Sequence, residues 1–380
     1  MPDVLIYSDT IRSPELRHEI PTLITDPFLY AERDGRRYAV ISQLDADGAR
    51  TAAPGLEVLA PEELGQDELI ASGMPRDEVQ HEVVVRACRK LEIASAAVPP
   101  VFPIALADHL RGAGLELSAD RALFVDRRLV KNDAELAGIR RAQKAADAGM
   151  RVAADMLRAA EPGDGVLMLA GEPLTSERIK VPVEAAFAEH GAAIDEFIVA
   201  SGPRTAVGHD MGSGPIAPGA PIVIDMWPWD RATGCFSDMT RSFAVADPGP
   251  ELREWYALCR EALERAVAAT RPGVTGFELF KLVCDFFESH GHPTQLSKQP
   301  GEILRDGFFH GLGHGVGLEV HEEPSLGRAG KNQPLKAGEV VAIEPGLYRH
   351  GYGGCRVEDL VLVTEDGAEV LTDFPYDLTP

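Results

Sequence analysis

The sequence predicts a mixed α/β protein of two domains, a small one over residues 1–125 and a larger one over residues 126–380. Length is the first reason, because 380 residues exceed the ~100–200 residues of an ordinary domain. The second is the alternation of short β-like and helical runs before residue 125. The third is an order that occurs twice after it, in which helices precede a strand pair that carries carboxylates. We therefore expect the larger domain to consist of two similar halves.

The small domain shows local structure but no candidate chemistry. FLYAERDGRRYAVIS predicts a β-hairpin, since two apolar-alternating strands flank a turn at Asp34-Gly35. RDEVQHEVVVRACRKLEI has helical spacing. Because no cluster of reactive side chains is evident, we expect this domain to control substrate access or to contact another subunit.

A long helix opens the larger domain. Asn132 and Glu135 match a capping box at its start. Further helices are expected at 176–190, 250–270 and 275–290, the last with a second capping box, Thr275 and Glu278. We expect antiparallel strand pairs after each pair of helices.

Composition excludes several classes of partner. The formal net charge of −23 repels phosphate backbones and anionic lipid, so neither nucleic acid nor a membrane surface is an expected partner. The five cysteines contain no CxxC pair, which disfavours a disulfide framework or a thiolate zinc site and favours a reducing cytoplasm. The first residues lack a secretory signal, and no apolar run approaches the ~20 residues of a membrane span.

The stretch HGLGHGVGLEVHEEP contains His310, His314 and His321 among glycines that permit close backbone packing. For any one of them a solvated turn is the commoner interpretation. Three in one stretch, with acidic residues elsewhere that interrupt apolar strands, favour a functional site.

Four acids stand at the ends or interruptions of strand-like runs: Asp225, Asp238, Glu344 and Glu358. If a pseudo-twofold relates the two halves, these carboxylates converge. Their burial would cost several kcal/mol each unless they are paired or protonated. Divalent cations remove that cost, and carboxylates with imidazoles suit Mn, Co, Fe or Zn. The excess of carboxylates over histidines favours two ions that share ligands.

These motifs resemble a known family. HGLGHGVGLEVHEEP, AIEPGLY, RVEDLVLVTEDG and SDMTRSF each match the peptidase family that includes Xaa-Pro aminopeptidase, prolidase and methionine aminopeptidase. The resemblance covers about residues 125–378 and implies the pita-bread fold. Residues 1–125 look like the creatinase-type domain that precedes the catalytic half in the proline-specific members.

The resemblance implies a role for particular residues. The implied metal ligands are Asp225, Asp238, His314, Glu344 and Glu358, with Asp238 and Glu358 bridging two divalent ions, Mn first and Co, Zn or Fe as alternatives. His209, His310 and His321 would line the site without binding metal. Arg356 and Tyr348 resemble the family's pocket residues, and a surface salt bridge is the alternative for Arg356.

A mechanism follows from this set. Two cations would lower the pKa of a shared water toward neutrality, so that hydroxide attacks a peptide carbonyl. Glu344 would accept and relay its proton, and His321 or a metal would stabilise the oxyanion. His209 would contact the substrate near the scissile amide. The loop that carries His209, ASGPRTAVGHDMGSG, is glycine-rich but lacks the Gly-Lys-Ser/Thr ending of a phosphate-binding P-loop.

One interval departs from the family pattern. Asp225 and Asp238 are two residues further apart than in many members, and Asp230 lies between them as a competing acid. An even insertion preserves the period of two along a hairpin. Both side chains can therefore still point to the same face.

The favoured function is a metal-dependent exopeptidase that hydrolyses Xaa-Pro bonds in dipeptides or at peptide N-termini. The alternatives are a metal-free creatinase-like hydrolase, a non-catalytic binding relative, or an aminopeptidase without proline preference. All five ligand positions are present, which disfavours the metal-free classes, and methionine aminopeptidases resemble only the catalytic half. Arg328 and Lys331 are candidate holders of a dipeptide carboxylate, with surface charge as the alternative for each. The family resemblance also implies a homodimer.

Overall fold

The computed structural model describes residues 2–380 and separates into two compact units between Arg128 and Leu129. That division lies three residues beyond the position expected from the sequence. Both units contain helices and strands, which confirms the mixed α/β class.

The N-terminal unit is built on one six-stranded sheet with the order β4-β3-β2-β1-β5-β6. Its strands are β1 Val4–Ser8, β2 Phe28–Arg33, β3 Arg36–Val40, β4 Leu56–Leu59, β5 Ser95–Val98 and β6 Glu116–Ala119. Its helices are α1 Pro14–Glu19, α2 Gln43–Ala52, α3 Gln66–Ala71, α4 Arg76–Lys90, α5 Ile104–Gly112 and α6 Arg121–Leu129, with a 3-10 turn at Pro61–Leu64.

Two local predictions in this unit are confirmed. The β2–β3 hairpin pairs Arg33 with Arg36, and Asp34 and Gly35 both have positive φ, 52° and 75°. That backbone suits the twist of a two-residue hairpin turn. Helix α4 places Val79 and Val83, one turn apart, in the core.

The C-terminal unit has four long helices. They are α7 Asp133–Arg158, α8 Ser176–Glu189, α9 Gly249–Ala269 and α10 Gly276–Ser289. Asn132 Oδ1 accepts from the Glu135 amide, and the Glu135 carboxylate accepts from the Asn132 amide. Thr275 and Glu278 repeat this exchange at α10. The predicted capping boxes therefore form and satisfy amides that a helix start leaves without partners.

Strands of this unit fall into a first and a second half. The first half holds β7 Glu161–Pro162, β8 Leu167–Leu169, β9 Glu172–Pro173, β10 Ala192–Ala193, β11 Ile198–Ser201, β12 Ile222–Met226, β13 Trp229–Asp230 and β14 Met239–Phe243, with a 3-10 turn at Gly202–Ala206. The second holds β15 Asp306–Gly307, β16 Gly313–Gly315, β17 Glu322–Leu326, β18 Val340–Ile343, β19 Gly346–Arg349, β20 Gly353–Arg356, β21 Asp359–Val363 and β22 Ala368–Val370, with a 3-10 turn at Gly330–Asn332.

Each half has its own core behind an antiparallel sheet. In the first, α7 and α8 cover the sheet β11-β12-β14, with Phe187 and Phe197 among the buried side chains. In the second, α9 and α10 cover a sheet of order β17-β16-β18-β21-β22. The order of two helices followed by an antiparallel pair thus occurs twice. The halves meet where the Glu358 amide donates to the Thr240 carbonyl oxygen at 3.1 Å.

Two further features bear on the sequence expectations. Every cysteine is a buried free thiol. Over residues 2–380, the helices are too short or too polar for any of them to span a bilayer.

Candidate metal centre and active site

One cavity of about 590 Å³ in the C-terminal unit is lined by the predicted metal ligands and by the histidines, tyrosine and arginine expected beside them. They are His209, Asp225, Asp238, His310, His314, His321, Glu344, Tyr348, Arg356 and Glu358. These residues come from loops and strands of both halves, so the expected convergence of the two strand pairs takes place.

Strand register explains why the two aspartates meet. Asp225 lies opposite Thr240 in the β12–β14 pair, so their side chains share a face. Asp238 stands two residues before Thr240 and, at a period of two, points to that face as well. The longer interval between the aspartates therefore leaves both on one side, as its even parity predicted.

The glutamates follow the same rule in the second half. Ile343 pairs with Asp359, so Glu344 and Glu358, one step further, face each other where the strands end. His314 on β16 pairs with Ala342 and joins this face.

Close packing of β16 depends on its glycines. A Cβ at Gly313 would collide with the carbonyl oxygen of Ala342, and a Cβ at Gly315 with that of Glu323. The glycines flanking His314 therefore let its strand lie tightly between two others.

The cavity carries more acid than base. Four carboxylates face one guanidinium, Arg356, and Asp225, Asp238 and Glu358 are at most 8% exposed. Burial and the charges of Glu358, Asp225 and Glu344 raise the pKa of Asp238. Burial, then Glu344 and Asp225, raise the pKa of Glu358. Four carboxyl groups thus share one guanidinium among the cavity-lining residues, and the ionised forms of Asp238 and Glu358 are destabilised.

This donor set fits a divalent cation. Asp238 Oδ1 is buried without a hydrogen-bond partner. Ligand atoms of Asp238, His314 and Glu358 all lie within 4.8 Å of one another. His314 Nε2 is 3.7 Å from Asp238 Oδ2 and 3.8 Å from Glu344 Oε1, too long for hydrogen bonds. Such gaps are comparable with those between neighbouring ligands that each lie about 2.0–2.2 Å from a shared metal.

The tautomer of His314 also suits this role. Its Nδ1 contacts the carbonyl oxygen of Gly315 at 3.1 Å, and since a carbonyl only accepts, Nδ1 carries the proton. Burial, with the nearby His321 ring, lowers the pKa of His314 to about 4. The ring is therefore neutral near pH 7 and presents a lone pair on Nε2 to the acids.

Asp225 is held differently from Asp238. Arg356 Nη2 forms a short ion pair with Asp225 Oδ2, and Arg356 Nε donates to Thr240 Oγ1 at 3.0 Å. Thr240 Oγ1 in turn lies 2.8 Å from Asp225 Oδ1 and 2.7 Å from Glu358 Oε2. One hydroxyl hydrogen serves only one of these acids. Arg356 is buried inside the cavity, so its sequence alternative, a surface salt bridge, does not apply.

His310 uses both ring nitrogens within the protein. Nδ1 contacts the Gly311 carbonyl oxygen at 2.7 Å, and Nε2 contacts the Tyr348 hydroxyl at 2.9 Å. Desolvation, followed by the charge of Arg356, lowers the pKa of His310 to about 3, so Nε2 accepts from Tyr348. Arg356 Nη1 lies 3.3 Å from that hydroxyl. The Tyr348 hydroxyl thus contacts both His310 and Arg356, and these contacts fix the positions of the three side chains.

The other two histidines are exposed at the cavity. The His321 ring packs edge-on against His314, with centroids 4.3 Å apart. His209 follows the 3-10 turn Gly202–Ala206 and lines the same cavity.

Sequence reasoning missed the apolar wall of the cavity. It consists of Val207, Met211, Trp227, Phe309 and Val320. Their positions in the sequence could have indicated them, because each lies within two residues of a predicted site residue.

Three other charged residues lie elsewhere. Arg328 and Lys331 are absent from the cavity lining formed by the described residues, and the Lys331 ammonium sits over the Phe277 ring at 4.7 Å. Asp230 is buried against Arg141, at 2.9 and 3.0 Å, and does not compete with Asp225.

Comparison with known proteins shows the family of this chain. The model of metallopeptidase family M24 matches residues 137–365. An Xaa-Pro dipeptidase of Pyrococcus furiosus is 37% identical over 222 residues, which are 57% of this chain and 60% of that protein. The uncharacterized peptidase YqhT of Bacillus subtilis is 33% identical over 254 residues, 66% of this chain and 64% of that one. The alignment thus spans about three fifths of these relatives' length.

Solved structures extend the likeness to the whole fold. An Xaa-Pro dipeptidase from Bacillus anthracis aligns with a TM-score of 0.79 at 25% identity, covering 100% of this chain and 94% of that one. A prolidase from Pyrococcus furiosus gives 0.75 at 24% identity, over 99% and 97%. The expected pita-bread fold is confirmed by these matches. With the family model covering more than half of its residues, the chain belongs to metallopeptidase family M24.

Proposed function

We propose that this protein is a metal-dependent exopeptidase that hydrolyses Xaa-Pro bonds in dipeptides or at the N-termini of short peptides. The observation that carries the proposal is the cavity's set of four carboxylates, three of them buried, and one neutral imidazole, in which Asp238 Oδ1 has no partner in the protein. Bound divalent cations would offset the cost of burying this acid.

Two divalent ions are proposed for this set, Mn first, with Co, Zn or Fe as alternatives. Asp238, His314, Glu344 and Glu358 would hold one ion, and Asp225, Asp238 and Glu358 the other. When bound, such ions supply Lewis acidity and lower the pKa of water. The second set differs from the first because Asp225 is already paired with Arg356.

The chain's own residues have separate proposed tasks. The Glu344 carboxylate accepts a proton from water and passes it to the leaving amine. Exposed His321 donates a hydrogen bond to the developing oxyanion, and His209 orients the scissile amide. His310 and Tyr348 keep the Arg356 guanidinium in place, since both ring nitrogens of His310 are used within the protein.

Proline preference is proposed from the shape and chemistry of the cavity. Trp227, Phe309 and Val207 give it an apolar wall, against which a rigid pyrrolidine ring loses little entropy on binding. Two of the similar proteins carry the name Xaa-Pro dipeptidase. Since neither Arg328 nor Lys331 lines the cavity, we leave the length of the substrate open.

Assembly and location complete the proposal. We propose a homodimer on the basis of the family resemblance, which light scattering of the purified chain tests. The five buried free cysteines favour a reducing compartment, and we propose the cytoplasm.

Peptide hydrolysis tests the proposed specificity. Metal-loaded protein is offered Ala-Pro, Ala-Pro-Ala, Ala-Ala-Ala and Met-Ala-Ser, and the released amino acids are quantified. We expect at least one proline peptide to be cleaved fastest. Faster cleavage of Ala-Ala-Ala or Met-Ala-Ser than of both proline peptides would overturn the specificity and leave the metallopeptidase proposal intact.

A further inference from the structure

A buried arginine lies directly behind the acidic cavity. Arg241 follows Thr240 on β14, so its side chain points to the opposite face of the strand. It is 1% exposed. Its Nη2 pairs with Asp359 Oδ1 at 3.0 Å, and Asp359 is likewise 1% exposed. Asp359 follows Glu358 on the other half, so the same alternation places it behind the cavity too.

Backbone contacts of Arg241 join the two halves. Its Nη1 donates to the carbonyl oxygen of Thr240 at 3.0 Å and to that of Glu358 at 2.6 Å. On the cavity face, the side chains of these two residues meet at 2.7 Å. One guanidinium nitrogen therefore binds the backbone of both Thr240 and Glu358 on the rear face. The side chains of the same two residues contact each other on the cavity face.

Residues 374–378 form the back wall of this guanidinium. Arg241 Nη2 donates to the carbonyl oxygen of Phe374 at 3.0 Å, and Nε donates to that of Pro375 at 3.2 Å. The Tyr376 ring lies 4.6 Å from the guanidinium carbon, and its hydroxyl donates to Asp359 Oδ2. The Leu378 carbonyl oxygen accepts from the Ala244 amide at 2.8 Å. The segment thus contacts strands of both halves.

A buried ion pair by itself is weak evidence for any role beyond packing. Here the geometry is more specific, because the acceptors include the backbone of a proposed ligand, Glu358, and of Thr240, which touches a second one, Asp225. Metal ligands need defined mutual distances, and groups that orient them commonly change affinity when altered.

We propose that Arg241 is a positioning residue that sets the distance between the ligand-bearing strands of the two halves, and that Tyr376 and Asp359 hold it in place. The inference rests on the proposed function, because it assigns Arg241 an effect on metal binding. Residues 374–378 then stabilise the metal centre through their contacts with Arg241 and Asp359.

The test measures Co²⁺ binding by titration of metal-free protein, together with the visible absorption of the bound ion, which reports its coordination geometry. Arg241→Lys keeps the charge but loses the planar fork, and we expect affinity to fall about 10–100-fold with a changed spectrum. Tyr376→Phe removes only one hydroxyl, and we expect about a three- to tenfold loss, the equivalent of one modest hydrogen bond.

Tyr30→Phe is the matched control. Tyr30 is fully buried in the N-terminal unit, and its hydroxyl donates to Glu19 Oε2 at 2.9 Å. This variant removes a tyrosine–carboxylate hydrogen bond of the same kind away from every proposed ligand. We expect a similar fall in thermal stability with wild-type Co²⁺ affinity and spectrum.

The outcomes separate the two proposals. If Arg241→Lys does not fold, the Co²⁺ affinity and spectrum of Tyr376→Phe test the positioning role. Wild-type affinity and spectrum in the folded variants, or an equal loss in Tyr30→Phe, would overturn the positioning role alone. A wild-type chain that binds no Co²⁺ would overturn the proposed function and, with it, this inference.

Discussion

The two faces of strands β14 and β21 carry buried charge in opposite ways. On the rear face, Arg241 and Asp359 find partners in each other, in Tyr376 and in several carbonyl oxygens. On the cavity face, Asp238, three residues before Arg241, keeps an oxygen without a partner, and Glu358, one residue before Asp359, shares a single hydroxyl with Asp225. The same backbone thus supports one cluster with paired charges and one with more carboxyl groups than cationic side chains.

The contrast between the two faces indicates that the excess of carboxyl groups in the cavity is not a packing defect. The fold neutralises a buried carboxylate where an arginine stands beside it, and it does so again where Arg141 meets Asp230. The cavity contains Arg356 but three more carboxylates than cations among its described lining residues. Since uncompensated buried charge costs several kcal/mol, we expect the missing positive charge to come from bound cations.

Metal removal should have the largest effect. Dialysis against a strong chelator is expected to abolish peptide hydrolysis, and added Mn²⁺ or Co²⁺ to restore it, because only the cavity face needs an external cation. Stability should rise on reloading by about 2.7 kcal/mol for each ion bound at a hundredfold excess over its Kd, measured by thermal unfolding. Full activity in protein shown by elemental analysis to be metal-free would contradict the conclusion that the cavity acids need a bound cation.

Glu344→Gln should lower turnover by about 10²–10⁴-fold, the usual cost of removing a general base, and loss of a ligand oxygen would add to it. Steady-state kinetics at saturating metal measure this effect, with metal content determined in parallel. Glu369→Gln is the control, because that carboxylate lies at the surface in a pair with Arg140 and its loss should leave turnover unchanged. Near-wild-type turnover in metal-loaded Glu344→Gln would place the base elsewhere.

Removing one acid from each face should change stability in opposite directions. Asp359→Asn leaves Arg241 without its buried counterion and is expected to cost about 3 kcal/mol. Asp238→Asn removes one repelled carboxylate and should stabilise the metal-free chain, because burial and the neighbouring acids raise the pKa of Asp238 and so destabilise its ionised form. Urea unfolding of metal-free protein at pH 7 measures both. Destabilisation by both variants would mean that the cavity acids are compensated within the protein.

The smallest expected effect concerns Glu339, a buried acid just before β18 that has an unpartnered Oε2. Burial raises the pKa of Glu339 to about 7, so the folded state holds a proton that the unfolded state releases near pH 4.5. Stability should therefore fall as pH rises from about 4.5 through 7. Glu339→Gln should remove that loss, so the variant should be the more stable of the two proteins at pH 8.

The matched measurement is the wild-type chain at both pH values. Chemical unfolding of the two proteins at pH 4.5 should give closely similar free energies, because the wild-type carboxyl is then protonated in the folded state. A difference that is the same at pH 4.5 and pH 8 would show that packing, and not ionisation, is what the substitution changes.

Patterns confined to short segments of the chain predicted most of the architecture. The capping boxes at Asn132 and Thr275 and the turn at Asp34-Gly35 depend on neighbours within three residues, and all of them form. Strand periodicity likewise predicted that Asp225 and Asp238 share a face despite their longer interval. The set of residues around the cavity followed from motifs of this local kind. Their roles as ligands and catalysts stay predictions.

Contacts between distant parts of the chain had no such signal. The sequence alone could not decide between a surface salt bridge and a pocket role for Arg356, nor assign Asp230 to Arg141, nor show that Gly311 and Tyr348 use both nitrogens of His310. Most of these partners are tens to more than a hundred residues apart, and only the tertiary fold, within each half or between the halves, brings them within hydrogen-bond distance. Local periodicity determines which face a side chain takes, whereas the tertiary fold decides what that face meets.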